Sequence, residues 1–390
     1  MTNIMREMMV QKHNRKSMKL PLLMTAALIT AALLFGGCIK SYPVTVEIPI
    51  REPLTQLPAD LAAVTFTIEG KTTAPYIMLE LSQPNGFNGF AVVNGDGKPV
   101  WYFRTVGGAS GFTRRQNGNF VFLDAQSGLV EITLNLDTVH ILPQEAAPGR
   151  HIHHDVTATP SNTLLFIADD WQMWKDSLVN GGALWEWIPE NGTTLKRWSS
   201  FDHLNPDSDK GTRSITSDWL HLNSVTFGPW GNIVLSSHFL DQVLSITPDF
   251  KNYEWRFGGI HATIPVSDPF SGQHCVQEIQ PGHLLLFDNG YERTTERYSR
   301  GLELELVGNT SHKVWEWRPP KDNWSRVIGS ARRLPNGNTM LCFGFPSNAV
   351  LGSTGPIEVY EVKNGGEVVW HLIATGGVGS MYRATPLCDF

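Results

Sequence analysis

Imidazoles placed just before apolar strand-like runs are the recurrent chemical feature of this chain. Ser271-Gly272-Gln273-His274 leads into Cys275-Val276, and beyond the turn Gln280-Pro281-Gly282 a second run, Leu284 to Phe287, ends in Asp288-Asn289-Gly290. His154 stands in the same relation to Asp155-Val156, and Asn223 to Ser224-Val225, with His221 two residues upstream on the same side of an alternating strand. A neutral imidazole can attack an electrophile near pH 7, carry a proton or ligate a metal. His151-Ile152-His153-His154 invites the metal reading, because His-x-His on a strand presents two rings to one face. Alternation turns His151 and His153 away from His154, however, and no carboxylate stands among the inward positions. The plain alternative is that each histidine caps a loop, which explains any one of them better than it explains several at equivalent places.

Those places are equivalent because the chain repeats. Phe112 to Phe122 and Ser330 to Leu341 are both strand, tight turn, strand, with Asn117-Gly118 and Asn336-Gly337 supplying the positive φ angles of a short hairpin. Looser copies start at Asp155, Ser224 and Cys275. Third strands follow at Gly128 to Leu134, Ala183 to Ile188, Gln242 to Ile246, Gly301 to Leu306 and Ile357 to Val362. Fourth strands often carry tryptophan, as at Trp255, Trp315, Trp317 and Trp370. Gly89 to Val93 and Pro99 to Phe103 are a third and fourth strand lacking their partners, and Met381 to Leu387 starts a unit that the chain does not finish. Joining them closes a ring of six four-stranded units, an all-β, six-bladed β-propeller. The inward positions are then Ser110, His154, Asn223, His274, Gly329 and a residue near Ser380. The expected organisation is an export segment over 1–38, a short N-terminal β lead-in over 39–84 and the propeller over 85–390.

Composition agrees with a turn-rich globular chain: 41% hydrophobic and 17% charged residues, 36 Gly, 24 Pro and 13 Trp in 390 residues. A net charge of -6 provides no basic footprint for nucleic acid. No Gly-x-x-x-x-Gly-Lys loop is present to cradle a nucleotide, and no cofactor or resident metal is expected. Lys12, Arg15, Lys16 and Lys19 precede the apolar run Leu20 to Phe35, which ends in Gly36-Gly37-Cys38. That is the layout of an export signal with a lipidation box at Cys38, Met18 being an alternative start; an uncleaved anchor and a plain signal peptide are the other readings. Export to a periplasmic or outer-surface site brings an oxidising environment, in which Cys342 and Cys388 could pair. Buried free thiols are the alternative.

The segments His153-His154-Asp155, Trp219 through Ser224, Ser236-Ser237-His238, Gly272-Gln273-His274, Phe287-Asp288-Asn289-Gly290 with Arg293, and Gly329-Ser330 through Thr339 are similar to those of the bacterial arylsulfate sulfotransferases. The resemblance spans about residues 85 to 390, with the motifs in the family's order. It implies a periplasmic six-bladed propeller that moves a sulfuryl group from an aryl sulfate to a phenol without a nucleotide donor. By resemblance His274 is the histidine transiently sulfated, while His154, His221 and Asn223 hold the sulfate oxygens. His221 is the candidate proton carrier. Arg293 and Ser330 fall within matching motifs and are candidate substrate contacts. One departure stands out: where the family carries an arginine after the paired serines, this chain has His238, a titratable group in place of a permanent bidentate cation. Three outcomes follow: a weaker enzyme with an acid-shifted optimum, rescue by another arginine such as Arg293 or Arg332, or a different anionic substrate. The expected partners are small aryl sulfates and phenols, with membrane attachment through the amino end. The rival readings are a propeller that binds without turnover and a metal- or quinone-dependent oxidoreductase on the same architecture.

Overall fold

The computed structural model describes residues 51–144, 150–347, 349–350 and 352–387. Residues 1–38, including Met18 and the lipidation candidate Cys38, lie outside the described residues, as does Cys388. Six antiparallel sheets follow one another, five of four strands and one of five. The innermost strands are Ser380–Leu387 in blade I, Ala109–Arg114 in blade II and Ile152–Ala158 in blade III. Leu222–Phe227, His274–Gln280 and Ser330–Arg333 serve blades IV, V and VI.

The ring closes as the orphan segments require, with one difference. Blade I is built in the order Ser380–Leu387, Tyr76–Ser82, Asn88–Asn94, Pro99–Arg104, so the carboxyl-terminal strand supplies the inner edge of the first sheet. The second strand comes from within the segment expected to be a separate lead-in. Thr65–Gly70 is likewise absorbed, as a fifth strand on the outer edge of blade VI, pairing Thr65 with Thr375 through Gly70 with Trp370. Both strands leave the lead-in for the same reason: the blade edges beside them expose unpaired backbone groups, and pairing covers them. The propeller therefore begins near residue 65, not 85.

The strands arise from alternation and from turns, and their packing from the outer tryptophans. Trp101 Nε1 donates to Leu134 O, Trp315 to Asn364 O, Trp317 to Gly366 O and Trp370 to Gly95 O. In each case an outer strand grips the third-to-fourth turn of the following blade, burying an indole and satisfying its N–H together. Cys275 and Cys342 are buried free thiols.

Blade III departs from the repeat. Its second and third strands, Leu164–Trp174 and Ser177–Ile188, have 11 and 12 residues, while the second strands of blades II, IV and V have 5, 5 and 6. The third strand starts at Ser177, ahead of the expected Ala183. The added length lies at the end of the second strand, the same end of the blade at which His274 begins its inner strand in blade V.

Candidate active site

Five of the six inner strands carry a register break at this end. The extra residues are Gly111 in blade II, those between Ile152 and Val156 in blade III, and Asn223 in blade IV. Blade V has Cys275 and Val276, and blade I has Tyr382 and Arg383. A bulge bends the strand and re-aims side chains, and here it lets inner strands turn polar groups toward a common space. His154 (φ 63°) and His221 (φ 51°) both sit in the left-handed region, which non-glycine residues seldom occupy. The turn at His154 overrides simple alternation: His153 Nδ1 lies 2.6 Å from His154 Nδ1, so His153 faces His154 instead of pointing away. Gly272 (φ 61°) is required next to the site, because a Cβ there would stand 2.8 Å from the His238 ring.

The convergence forms a closed circuit of rings. Centroid separations are 4.7 Å for His154–His221, 5.3 Å for His221–His238 and 5.3 Å for His238–His274. Tyr382 completes the circuit, 6.4 Å from His274 and 6.2 Å from His154. Blades III, IV, V and I thus contribute, across well over two hundred positions of sequence.

All four imidazoles are held by the same nitrogen. His274 Nδ1 lies 2.8 Å from Asn289 Oδ1, and Asn289 spends both amide hydrogens on Ser325 O and Ile328 O, each at 2.7 Å. The amide therefore cannot flip, its oxygen must accept, and the proton of neutral His274 resides on Nδ1. His238 Nδ1 donates to Gly272 O at 2.9 Å, and His221 Nδ1 is paired with Asp218 Oδ2. His153 approaches Asp169 through Nε2 at 3.4 Å, which leaves its Nδ1 to accept from His154 Nδ1. Among the described residues no Nε2 of these four rings has a hydrogen-bond partner, so four lone pairs or four N–H groups, according to protonation, remain for a ligand.

Burial and mutual proximity keep His154, His238 and His274 uncharged at neutral pH. His274 is pushed down to about 3, chiefly by desolvation. Burial and then the neighbouring imidazoles hold His154 and His238 well below the ordinary range. Two fixed cations lie close by. Arg383 is buried with Nη1 2.6 Å from Asp155 Oδ1 and Nη2 3.1 Å from Asn223 O, tying blade I to blades III and IV. Its positive charge also disfavours protonation of His274. Arg213 donates to His238 O and pairs with Asp241 and Glu292.

The sequence candidates divide. His154, His221, His238 and His274 stand together. Asn223 is buried beside them, with Nδ2 on Gln273 O at 2.7 Å and Oδ1 without a partner. Arg293 binds Asp288 Oδ2 at 2.6 Å and Tyr298 O at 3.0 Å. It braces the turn that carries Asn289 and is not free to clamp an anion. Ser330 is fully buried and bonds to Ala384 across the blade VI–blade I seam. Asp218, His153, Asn289 and Tyr382 are the functional neighbours that pattern reading left without a role. His153 and Asn289 fell within the matching motifs without being given a role, and Asp218 stands three residues before His221. Among the described residues no three His, Cys, Asp or Glu side chains are disposed to hold a metal ion.

Of the solved structures similar in fold, a protein of unknown function from Bacteroides caccae has a TM-score of 0.53 at 14% identity, covering 81% of this chain and 100% of its own. A catalytically inactive virginiamycin B lyase from Staphylococcus aureus aligns at a TM-score of 0.42 and 10% identity, over 80% of this chain and 99% of its own. At such identities the likeness is one of fold alone. No curated protein matches the chain significantly. The sequence profile of arylsulfotransferase (ASST) matches residues 67–376, most of the propeller, and with four imidazoles gathered at its mouth the chain belongs to the arylsulfotransferase family.

Proposed function

We propose that the protein transfers a sulfuryl group from an aryl sulfate to a phenolic acceptor in two steps, through a sulfohistidine at Nε2 of His274. The observation that carries this reading is the Asn289–His274 pair: Nδ1 holds the proton against an amide that cannot turn, so the Nε2 lone pair is available for attack.

In the first step a bond forms between His274 Nε2 and sulfur while the bond from sulfur to the aryl oxygen breaks. The departing oxygen takes a proton from Nε2 of His221 in its imidazolium form, whose charge Asp218 stabilises across Nδ1. The imidazolium-like ring of the adduct keeps its Nδ1 proton on Asn289 Oδ1. A neutral amide here leaves the adduct more labile than a carboxylate would. In the second step His221 Nε2 removes the proton of the incoming phenol, whose oxygen attacks sulfur and releases His274; the protonation state of His221 is restored. Charge on the equatorial oxygens is met by Nε2–H of His154 and His238 in the protonated forms that the bound anion favours, by Asn223 Nδ2 if it turns from Gln273, and by the field of Arg383. The segment 12–38 supports export and lipid attachment at Cys38, with action outside the cytoplasm.

Intact-protein mass spectrometry after brief exposure to 4-nitrophenyl sulfate tests the reading. One SO₃ group should appear on the wild type and vanish in His274→Ala. A wild type that binds the donor without acquiring the adduct would make this a binding module.

A further inference from the structure

Asn289 fixes more than His274. The two carbonyls that take its amide hydrogens, Ser325 O and Ile328 O, bracket Arg326, so the backbone of Arg326 is pinned to the same amide that orients the His274 ring. Ser325 is locked in turn: its Oγ accepts from Phe345 N at 3.0 Å and donates to Val327 O at 3.1 Å. Gly329 N, next after Ile328, donates to Tyr382 O at 3.1 Å. The loop from Ser325 to Gly329 therefore carries a guanidinium at the rim of the circuit, tied to His274 through Asn289 and to Tyr382 directly.

Tyr291 shows where that guanidinium lies. Its Cβ and the His238 ring each stand 2.8 Å from where a Cβ on Gly272 would be, and its ring meets the His238 ring edge to face at 5.4 Å between centroids. At the far end of the same ring the phenol oxygen accepts from Arg326 Nη2 at 2.8 Å, with the guanidinium carbon 5.1 Å from the ring centroid. Tyr291 is thus a ruler the length of a para-substituted benzene, laid from His238 to Arg326. A second guanidinium, Arg213, lies 5.0 Å from the same centroid, but Asp241 and Glu292 meet its charge. Among the described residues Arg326 has no ion pair, and its hydrogen bond goes to a neutral phenol, so its charge and most of its N–H donors remain for a ligand. Tyr291 and Arg326 are both partly buried, and the planar fork of a guanidinium suits a carboxylate.

We propose that Arg326 is a specificity-determining residue for the aryl body of the substrate: with the sulfuryl group at the imidazoles, the ring lies along Tyr291 and a carboxylate para to the bridging oxygen meets the guanidinium. The preferred donors are 4-carboxyphenyl sulfates and the preferred acceptors 4-hydroxybenzoates, since donor and acceptor occupy the aryl site in turn.

The proposal rests on the sulfuryl-transfer reading for the place of the sulfur end, and binding without chemistry separates the two. In 4-(sulfomethyl)benzoate and 4-(sulfomethyl)benzamide a methylene replaces the bridging oxygen, so no group can be transferred, and the pair differs in charge but hardly in shape. Calorimetry at low ionic strength compares them on the wild type, Arg326→Met, Arg326→Lys and Tyr291→Phe. The wild type should bind the benzoate roughly tenfold more tightly than the benzamide, the scale of one charge-assisted contact. In Arg326→Met the two affinities should come within about twofold of each other, the benzamide binding much as before, which also shows the variant to be folded. Arg326→Lys should keep part of the preference, and Tyr291→Phe, which releases the guanidinium, should lose part of it. A wild type without preference for the benzoate, or a preference that survives Arg326→Met, overturns the assignment. A preference lost in Arg326→Met, in a protein that gains no SO₃ adduct from 4-nitrophenyl sulfate, keeps the carboxylate subsite and sinks sulfuryl transfer. An adduct formed by a protein without the preference sinks the subsite alone.

Discussion

Blades III to V and blades VI to II are made from the same hairpin repeat, yet only the first set brings imidazoles to the mouth. Blade VI offers Gly329 and Ser330, and its inner strand pairs regularly from Ser330 with Cys342 to Arg333 with Thr339. Blade II has a bulge but places Gly111 there, with His154 O and Asp155 Cα each 3.0 Å from where a Cβ would be. One half of the ring is therefore chemically loaded and the other leaves room and supplies Tyr382 and Arg383. The repeat fixes where a side chain can enter the centre; the residue at the bulge decides whether chemistry happens there. Substitutions that separate those two contributions are the sharpest way to test the contrast.

The largest effect should come from the loaded half. His274→Ala should lower aryl sulfate turnover by about 10³-fold or more, the scale on which losing an attacking group acts. Thermal stability should change little by comparison. If His154→Ala or His238→Ala proved as damaging while His274→Ala retained activity, the nucleophile would be misassigned.

Next in size is a structural effect at the junction of the halves. Arg383→Met removes the partner of Asp155 and the donor to Asn223 O, both in the buried centre. Stripping one member from a buried ion pair typically costs about 3–5 kcal/mol. Urea unfolding should report that loss, and Arg293→Met, a partly exposed brace on the Asn289 turn, should lose less. Asp218→Asn comes third. It keeps the His221 hydrogen bond geometrically but removes the charge that stabilises the imidazolium, so turnover should fall about 10²-fold with little change in KM. A change confined to KM would make Asp218 a loop anchor only.

The blade count and ring closure were legible because each unit carries its own turn chemistry, such as Asn117-Gly118 and Asn336-Gly337, and because the ends supply complementary halves of one sheet. The alignment of His154, Asn223 and His274 followed from the turns alone. What alternation could not deliver was the orientation at the bulges: a single extra residue flips the face, which is why His153 meets His154. Arg293 shows the complementary limit. Its place in a motif was readable, but not that Asp288, five residues earlier at the end of the preceding strand, had already claimed its charge. Tyr76–Ser82 reads equally well as a free strand and as a blade member, since the partner that decides, Ser380–Leu387, is three hundred residues away.

The smallest effect tests the oddest residue in the loaded half. His238 stands where the family resemblance leads one to expect arginine, and burial together with His274, His221 and Arg213 holds its pKa well below the usual imidazole range. His154, His238 and His274 are therefore uncharged near pH 7, with pKa values below their unfolded values. An anion entering the circuit favours the charged forms and raises those pKa values, so binding takes up protons and weakens as pH rises through the values in the complex. Calorimetry of inorganic sulfate at pH 7, in buffers of different ionisation enthalpy, should register fractional proton uptake in the wild type. In His238→Arg the guanidinium supplies charge without taking a proton, so uptake should shrink and the fall in affinity toward pH 8 should flatten, with affinity at pH 8 rising several-fold, an increment of about 1 kcal/mol for one charge-assisted contact. Unchanged proton uptake in that variant would mean that His238 does not face the anion, and that the loaded half is smaller by one ring.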